Sequence, residues 1–199
     1  MNTWQERILD DGTDRSTFAA AHRPVISASF AATLAKAESV EKYLAAKLKT
    51  NDFGGNEWTR SGHKWEADML AWSGLPGNTA LVHAVDEVGF ASTVDGLSVD
   101  GKLGAECKAK HDRIVFGPAK GEWRQLAWQF RTIAELEQIQ FIWVEIVNGQ
   151  LRTDEPNALI ITRDHPEIVK AIAQVEPIAH DVLRRLRVAL EFEQELLAS

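Results

Sequence analysis

Phe90-Ala91-Ser92-Thr93-Val94-Asp95-Gly96-Leu97, followed past an Asp100-Gly101 turn by Leu103-Gly104-Ala105-Glu106-Cys107-Lys108, is the stretch on which the fold turns. Phe90 to Val94 reads as a strand, and Asp-Gly marks a tight turn because glycine tolerates positive φ. Leu103 to Lys108 is then the return strand of a hairpin, which carries Glu106 back toward Asp95. Strand side chains alternate between faces, so Glu106 and Lys108 project to one side and Cys107 to the other. Two carboxylates and an ammonium are thereby expected on one small patch of sheet.

That combination suits a divalent cation and a phosphate, and points to a nuclease. Mg²⁺ prefers oxygen ligands and keeps part of its water shell, so Asp95, Glu106 and the backbone carbonyl of Cys107, not its sulfur, form a workable set. Lys108 is placed to orient a water and to balance charge developing on the phosphate.

A Glu-x-Lys triplet carries little weight alone, since 17 Glu and 10 Lys in 199 residues give about one by chance. Context supplies the rest. In Ser61 to Leu70 and just beyond, Trp65, Met69 and Trp72 fall at the spacing of a helix core stripe, and Glu66 flanks it as a further ligand or as an ordinary boundary carboxylate. Trp123-Arg124-Gln125-Leu126-Ala127-Trp128-Gln129 opens another helix. Its two glutamines stand one turn apart, suited to holding a water or phosphate and equally common on a solvated face. Arg23-Pro24-Val25-Ile26-Ser27-Ala28-Ser29 is extended ahead of a helical run from Phe30 to Leu48, with serines that serve as N-caps beside an Arg.

Taken in order, these residues resemble the lambda-type phage exonucleases, the YqaJ-like viral recombinase branch of the PD-(D/E)xK nuclease superfamily. The resemblance covers His22 to Thr132. It rests on Ile26-Ser27-Ala28-Ser29, on Gly62 with Glu66, on Asp95-Gly96-Leu97, on Glu106-Cys107-Lys108 and on Gln125. It implies an α/β (α+β) fold with a restriction-endonuclease-like core, a central mixed β-sheet flanked by helices. It also implies that Asp95, Glu106 and the Cys107 carbonyl hold a first Mg²⁺ or Mn²⁺, that Glu66 helps to hold a second, and that Lys108 and Gln125 position the attacking water. Ser29, with Arg23 or His22, would bind the 5′ phosphate of DNA.

The implied activity is metal-dependent 5′ to 3′ resection of linear double-stranded DNA for phage-type recombination. A single-strand annealing protein would be the partner, and a homo-oligomer, in some relatives a ring, the assembly. An endonuclease of the same superfamily and a catalytically silent DNA-binding module remain the alternatives. The sequence departs from the family at Val94, where Pro is frequent, after Lys108, where Ala109-Lys110-His111 replaces a Cys-Pro, and at His22, where an Arg is expected.

Composition agrees with one enzyme domain over 1–199, its nuclease core spanning about 22–163 and its C-terminal helices 164–199. With 45% hydrophobic residues the chain can bury a sizeable core, and no linker or repeat divides it. There is no apolar run of membrane-spanning length and no signal-peptide pattern, so the expectation is a soluble, cytoplasmic protein, and the resemblance implies the cytoplasm of a bacterial host if the chain is phage encoded. One cysteine excludes internal disulfides and a one-chain iron-sulfur site of four cysteines. The six histidines show no zinc spacing.

A net charge of -7 is unusual for a DNA enzyme, because basic side chains supply most non-specific affinity. Between Lys102 and Arg131, however, seven basic residues face three acidic ones, either as a positive surface beside the site or as a solvated mixed-charge loop. Farther on, Phe141 to Val147 and Ala158 to Thr162 read as strands, the first ending in an Asn148-Gly149 turn. A helix starts at Asp164-His165-Pro166, and a second runs from about Pro177 to Leu197 with a basic cluster at Arg184, Arg185 and Arg187. Of seven tryptophans, Trp65, Trp72, Trp128 and Trp143 fit core positions, and Trp58 is the candidate for stacking on a base.

Overall fold

The apolar run from Phe141 to Val147 becomes the centre of the molecule. In the computed structural model, which describes residues 3–49 and 57–198 and the backbone alone over 57–63, this run lies within β6 (Gln138–Val147). β6 pairs in parallel with β5 (Leu103–His111), from Leu103 opposite Gln138 to His111 opposite Ile146. Parallel neighbours require a crossover, and helix α5 (Lys120–Thr132) supplies it. On its other side β6 pairs antiparallel with β8 (Asn157–Thr162) and, through the Asn148-Gly149 turn, with β7 (Gln150–Leu151). Both turn residues have positive φ, 51° and 76°, as a tight hairpin demands.

β4 (Gly96–Leu97) pairs antiparallel with β5 and completes this mixed five-stranded sheet. A second sheet of β1 (Ile8–Asp10), β2 (Leu81–His83) and β3 (Ala91–Ser92) is antiparallel throughout. The expected strand Phe90 to Val94 shortens to β3, which pairs with β2 in the smaller sheet, and the hairpin partner of β5 is β4, beginning at Gly96. Asp95 sits at the seam. Its N–H donates to Ala105 O at 3.0 Å in one direction, and its carbonyl accepts from Asn78 N at 2.8 Å in the other.

The two faces of the β5–β6 pair differ in chemistry, as alternation requires. Ala105, Cys107, Ile142, Val144 and Ile146 form one face, covered by α4 (Glu57–Ser73) through Met69 and Trp65. The other face carries Glu106, Lys108 and Lys110 beside Phe141 and Trp143, and α5 lies over it with Leu126 and Phe130. Trp128, on the far side of α5, anchors a further core with Ile26, Phe90 and Val182. Its ring meets Phe90 at 4.7 Å and its Nε1–H donates to Ile26 O at 2.8 Å.

Three expectations are corrected. The helical run from Phe30 to Leu48 is broken: α2 (Ala28–Ala31) ends, a 3₁₀ turn (Ala37–Ser39) follows, and α3 (Val40–Leu48) begins. The Tyr43 hydroxyl accepts the N–H groups of Ala35 and Lys36, both at 3.1 Å, so the break keeps its backbone donors satisfied. The two C-terminal helices are one, α6 (Pro166–Ala198), which runs through Pro177. Proline inside a helix costs about 3 kcal/mol, and the buried stripe Ile168, Ala171, Val175, Ile178, Val182 and Leu186 on either side of it outweighs that cost. Trp72 is 47% exposed instead of core, while Trp128 and Trp143 are buried and Trp65 half-buried. The side chain of Trp58 lies outside the described residues. Helix α1 (Arg15–His22) starts at an Asp14 cap that accepts from Ser16 N and Thr17 N.

Gly101 closes the hairpin that sets Asp95 opposite Glu106. Its φ is +76°, and a Cβ there would come within 2.6 Å of the Trp4 ring. Gly101→Ala is expected to lower stability by about 1–2 kcal/mol or more, read as a reduced urea midpoint at unchanged m-value. An unchanged midpoint would show that the turn is not under this constraint.

Candidate active site

The polar face of β5 needs partners, because an unpaired buried carboxylate costs several kcal/mol. Glu106 is only 1% exposed. Its Oε1 accepts from Gln125 Nε2 at 2.6 Å and from the Lys108 ammonium, and its Oε2 accepts from Gln129 Nε2. The two glutamines are one helical turn apart on α5, so a single carboxylate spans both. Gln129 Nε2 also reaches Thr93 O at 3.2 Å. Among the described residues Gln129 Oε1 and Thr93 Oγ1 are buried with no hydrogen-bond partner.

Asp95 faces this cluster from the adjacent strand, its Oδ2 accepting the Cys107 N–H at 2.7 Å. Burial first, then the charge of Glu106, push its pKa up to about 8, with Glu66 adding to the rise and Lys108 and the Cys107 N–H opposing it. Burial alone would lower the Lys108 pKa, but Glu106 and Asp95 outweigh it and hold the ammonium charged. The Cys107 thiol is raised by burial and then by Asp95 and Glu106, so it stays protonated. It is no thiolate ligand.

Asp95, Glu106, Cys107, Lys108 and Gln125 are thus neighbours, and Glu66 is near enough for its charge to add to the rise at Asp95. Gln129 was visible only as the partner one turn from Gln125, and its grip on the second oxygen of Glu106 becomes evident only once α5 lies over β5. Lys110 and Glu122 were not anticipated. Lys110, 2% exposed, pairs with Glu122 Oε1, while Glu122 Oε2 accepts Ala119 N at 2.7 Å. This ties the first turn of α5 to β5 and fixes the height of Gln125 over the sheet.

The residues fit a hard divalent cation. Asp95 and Glu106 bring two carboxylates against the single ammonium of Lys108, and burial together with the charge of Glu106 raises the pKa of Asp95. Among the described residues no three His, Cys, Asp or Glu side chains converge closely enough to hold a metal by themselves. Such a site suits Mg²⁺, which keeps several waters.

Of the residues expected at a 5′ phosphate, Ser29 is open to solvent, while Arg23 and His22 have neighbours within the protein. Ser29 is exposed in α2, 3.3 Å from Ser27, and it is Ser27 that caps that helix, accepting Phe30 N. Arg23 pairs with Glu193. Burial, then Lys47, lower the pKa of His22 to about 4, which leaves the ring neutral near pH 7. The basic stretch is also largely spent inside the protein. Lys102 pairs with Glu137, Arg131 with Asp86 and Glu176, and Arg124 donates to Ala32 O. In α6, Arg184, Arg185 and Arg187 are paired with Asp181, Glu41 and Glu87, a salt-bridged helix face.

A mixed sheet flanked by helices, with Asp95 set beside Glu106 and Lys108 of β5, is a fold that solved exonuclease structures share. Solved structures narrow it to the fold of the lambda-type phage exonucleases. The alkaline exonuclease LHK-Exo from Laribacter hongkongensis superposes with a TM-score of 0.65 at 16% identity, over 92% of this chain and 98% of that one. LHK-Exo in complex with dAMP gives 0.63 at 18% identity, over 91% and 96%. A phage related exonuclease from Haemophilus somnus 129PT gives 0.54 at 15%, over 92% of each chain. No family model and no curated protein sequence matches the chain. Among the described residues no helix is long and apolar enough to cross a membrane.

The carboxylate pair predicts a pH dependence of stability. In metal-free buffer folded Asp95 holds a proton up to about pH 8, whereas an unfolded aspartate releases it near pH 4. Between those values the folded state binds more protons, so stability falls as pH rises and levels off above about 8. Urea unfolding from pH 5 to 8.5 in chelator should show this decline in wild type and a flatter profile in Asp95→Asn. Parallel profiles would refute the raised pKa of Asp95.

Proposed function

We propose that the chain is a divalent-metal-dependent deoxyribonuclease that hydrolyses phosphodiester bonds from the ends of linear double-stranded DNA. One observation carries this reading: Asp95, just ahead of β4, lies against β5 through the Cys107 N–H, beside Glu106 with the Lys108 ammonium on it, and burial together with the charge of Glu106 raises the Asp95 pKa. The fold shared with named exonucleases supports it. Asp95, Glu106 and the Cys107 carbonyl would hold a Mg²⁺ or Mn²⁺, with Glu66 contributing toward a second. A bound cation of this kind supplies Lewis-acid polarisation of the phosphate and acidifies water.

The protein's own groups do the rest. Lys108, charged and partly exposed, donates hydrogen bonds to a water or to a phosphate oxygen and offsets developing negative charge. Gln125 and Gln129 fix both oxygens of Glu106, so that carboxylate does not have to reorient as charge moves. Polarity from the 5′ end, with Ser29, Arg23 and His22 near the terminal phosphate, completes the proposal. So do work alongside a single-strand annealing protein in phage-type recombination, assembly as a homo-oligomer and residence in the bacterial cytoplasm, all of which rest on the sequence resemblance.

End-labelled linear and covalently closed circular duplexes, incubated with Mg²⁺ or chelator, test it. Wild type should shorten the linear DNA from the 5′ end, leave closed circles intact and stop in chelator. Glu106→Gln and Lys108→Ala should each lose about 100-fold or more in rate. Cleavage of closed circles would make the chain an endonuclease, and activity surviving both substitutions would remove the site from consideration.

A further inference from the structure

The polar face of β5 does not end at the carboxylates. The strand continues to His111, and the loop of residues 112–119 returns the chain to α5. Lys110, at the far end of this face, stands four residues beyond Glu106, on the order of 13 Å along a strand. At the loop's apex Phe116 is 97% exposed, and Ile114 is 55% exposed. Single apolar side chains on a surface are ordinary; a phenyl ring held outward by buried machinery is not. The Val115 N–H donates at 2.8 Å to Oε1 of Glu145, a carboxylate 2% exposed whose Oε2 is paired with Arg152. The Asp112 N–H is fixed to Ile146 O at 2.8 Å. Val115 packs inward against the core of Leu126 and Phe141, leaving Phe116 no inward position.

The charge around the ring selects its partner. Arg113 and Lys120, which flank it in the sequence, are exposed, and Asp112 is the acidic residue of the loop. An exposed aromatic ring on a stretch with two exposed cations, in a chain of net charge -7, matches a strand of nucleic acid whose phosphates meet the cations while an unpaired base lies on the ring. Base–aromatic stacking of this kind is sequence-tolerant because every base has a π-face.

We infer that Phe116 is a stacking platform for an unpaired DNA base, on the loop that follows the strand of Glu106, held in place by the Glu145–Val115 hydrogen bond. This deepens the nuclease reading and names the substrate state the site takes: duplex whose end is opened at the loop.

The test separates the two claims. Binding of a single-stranded oligonucleotide carrying 2-aminopurine, measured in chelator, needs no catalysis. Phe116→Ala should weaken it by about 5- to 100-fold and abolish quenching of the fluorophore, and Phe116→Trp should restore both. On blunt linear duplex with Mg²⁺ the alanine variant should cut more slowly than wild type. Unpairing the terminal bases should narrow that gap, and making them abasic should remove it. Glu145→Gln, which weakens the loop anchor without touching the ring, should show a smaller loss of the same kind. Wild-type affinity and quenching in Phe116→Ala would overturn the inference, including the case in which the loop binds a protein instead. Inactive wild-type protein that still shows Phe116-dependent quenching would overturn the nuclease reading and leave the platform standing.

Discussion

A single buried carboxylate organises the structure. Glu106 sits on the central strand pair with almost no exposure to water, and an ionised carboxylate is tolerated there only if each oxygen is bonded. Gln125 and Lys108 satisfy one oxygen and Gln129 the other, so α5 must lie across β5 at one height and one rotation. The Lys110–Glu122 pair sets that height independently at the start of the helix. Since α5 is also the crossover between β5 and β6, the same polar contacts that prepare the site hold the parallel pair at the heart of the sheet. Replacing one partner therefore disturbs both the site and the packing, because it leaves a buried charge uncompensated.

Much of this was legible in the sequence because it follows local periodicities. Alternation along Leu103 to Lys108 placed Glu106 and Lys108 on one face, the Asp100-Gly101 and Asn148-Gly149 turns marked hairpins, and the i, i+4 spacing of Gln125 and Gln129 put two amides on one side of a helix. The illegible features depend on contacts distant in sequence. Nothing local to residues 32–39 breaks a helix, and the Tyr43 hydroxyl that makes the break tolerable acts only in the folded chain. Pro177 reads as a stop, yet the apolar stripe of α6 carries the helix through it. The roles of Gln129 and Lys110 needed the packing of α5 on β5 before they meant anything.

Charge tells a similar story. Counting Lys and Arg from Lys102 to Arg131 suggested a positive surface, but most of those side chains neutralise carboxylates or bond to helix carbonyls within the protein. Those well placed to meet a polyanion are fewer and lie on the loop after β5, with Arg113 and Lys120 exposed there. On the proposed reading, such an acidic protein would rely on a narrow strip of positive charge and on stacking, so that its contacts to nucleic acid would be local instead of diffuse.

The position of Asp95 at the seam between two sheets has a mechanical meaning. Its N–H belongs to the larger sheet through Ala105 and its carbonyl to Asn78, in the segment leading into the smaller sheet, while the Asn78 side chain grips Val94 O at 2.9 Å. The gap between Asp95 and Glu106 is therefore a gauge of how the two sheets meet. A scaffold built this way can adjust the spacing of its acidic groups by altering packing far away, without replacing a single residue of the site.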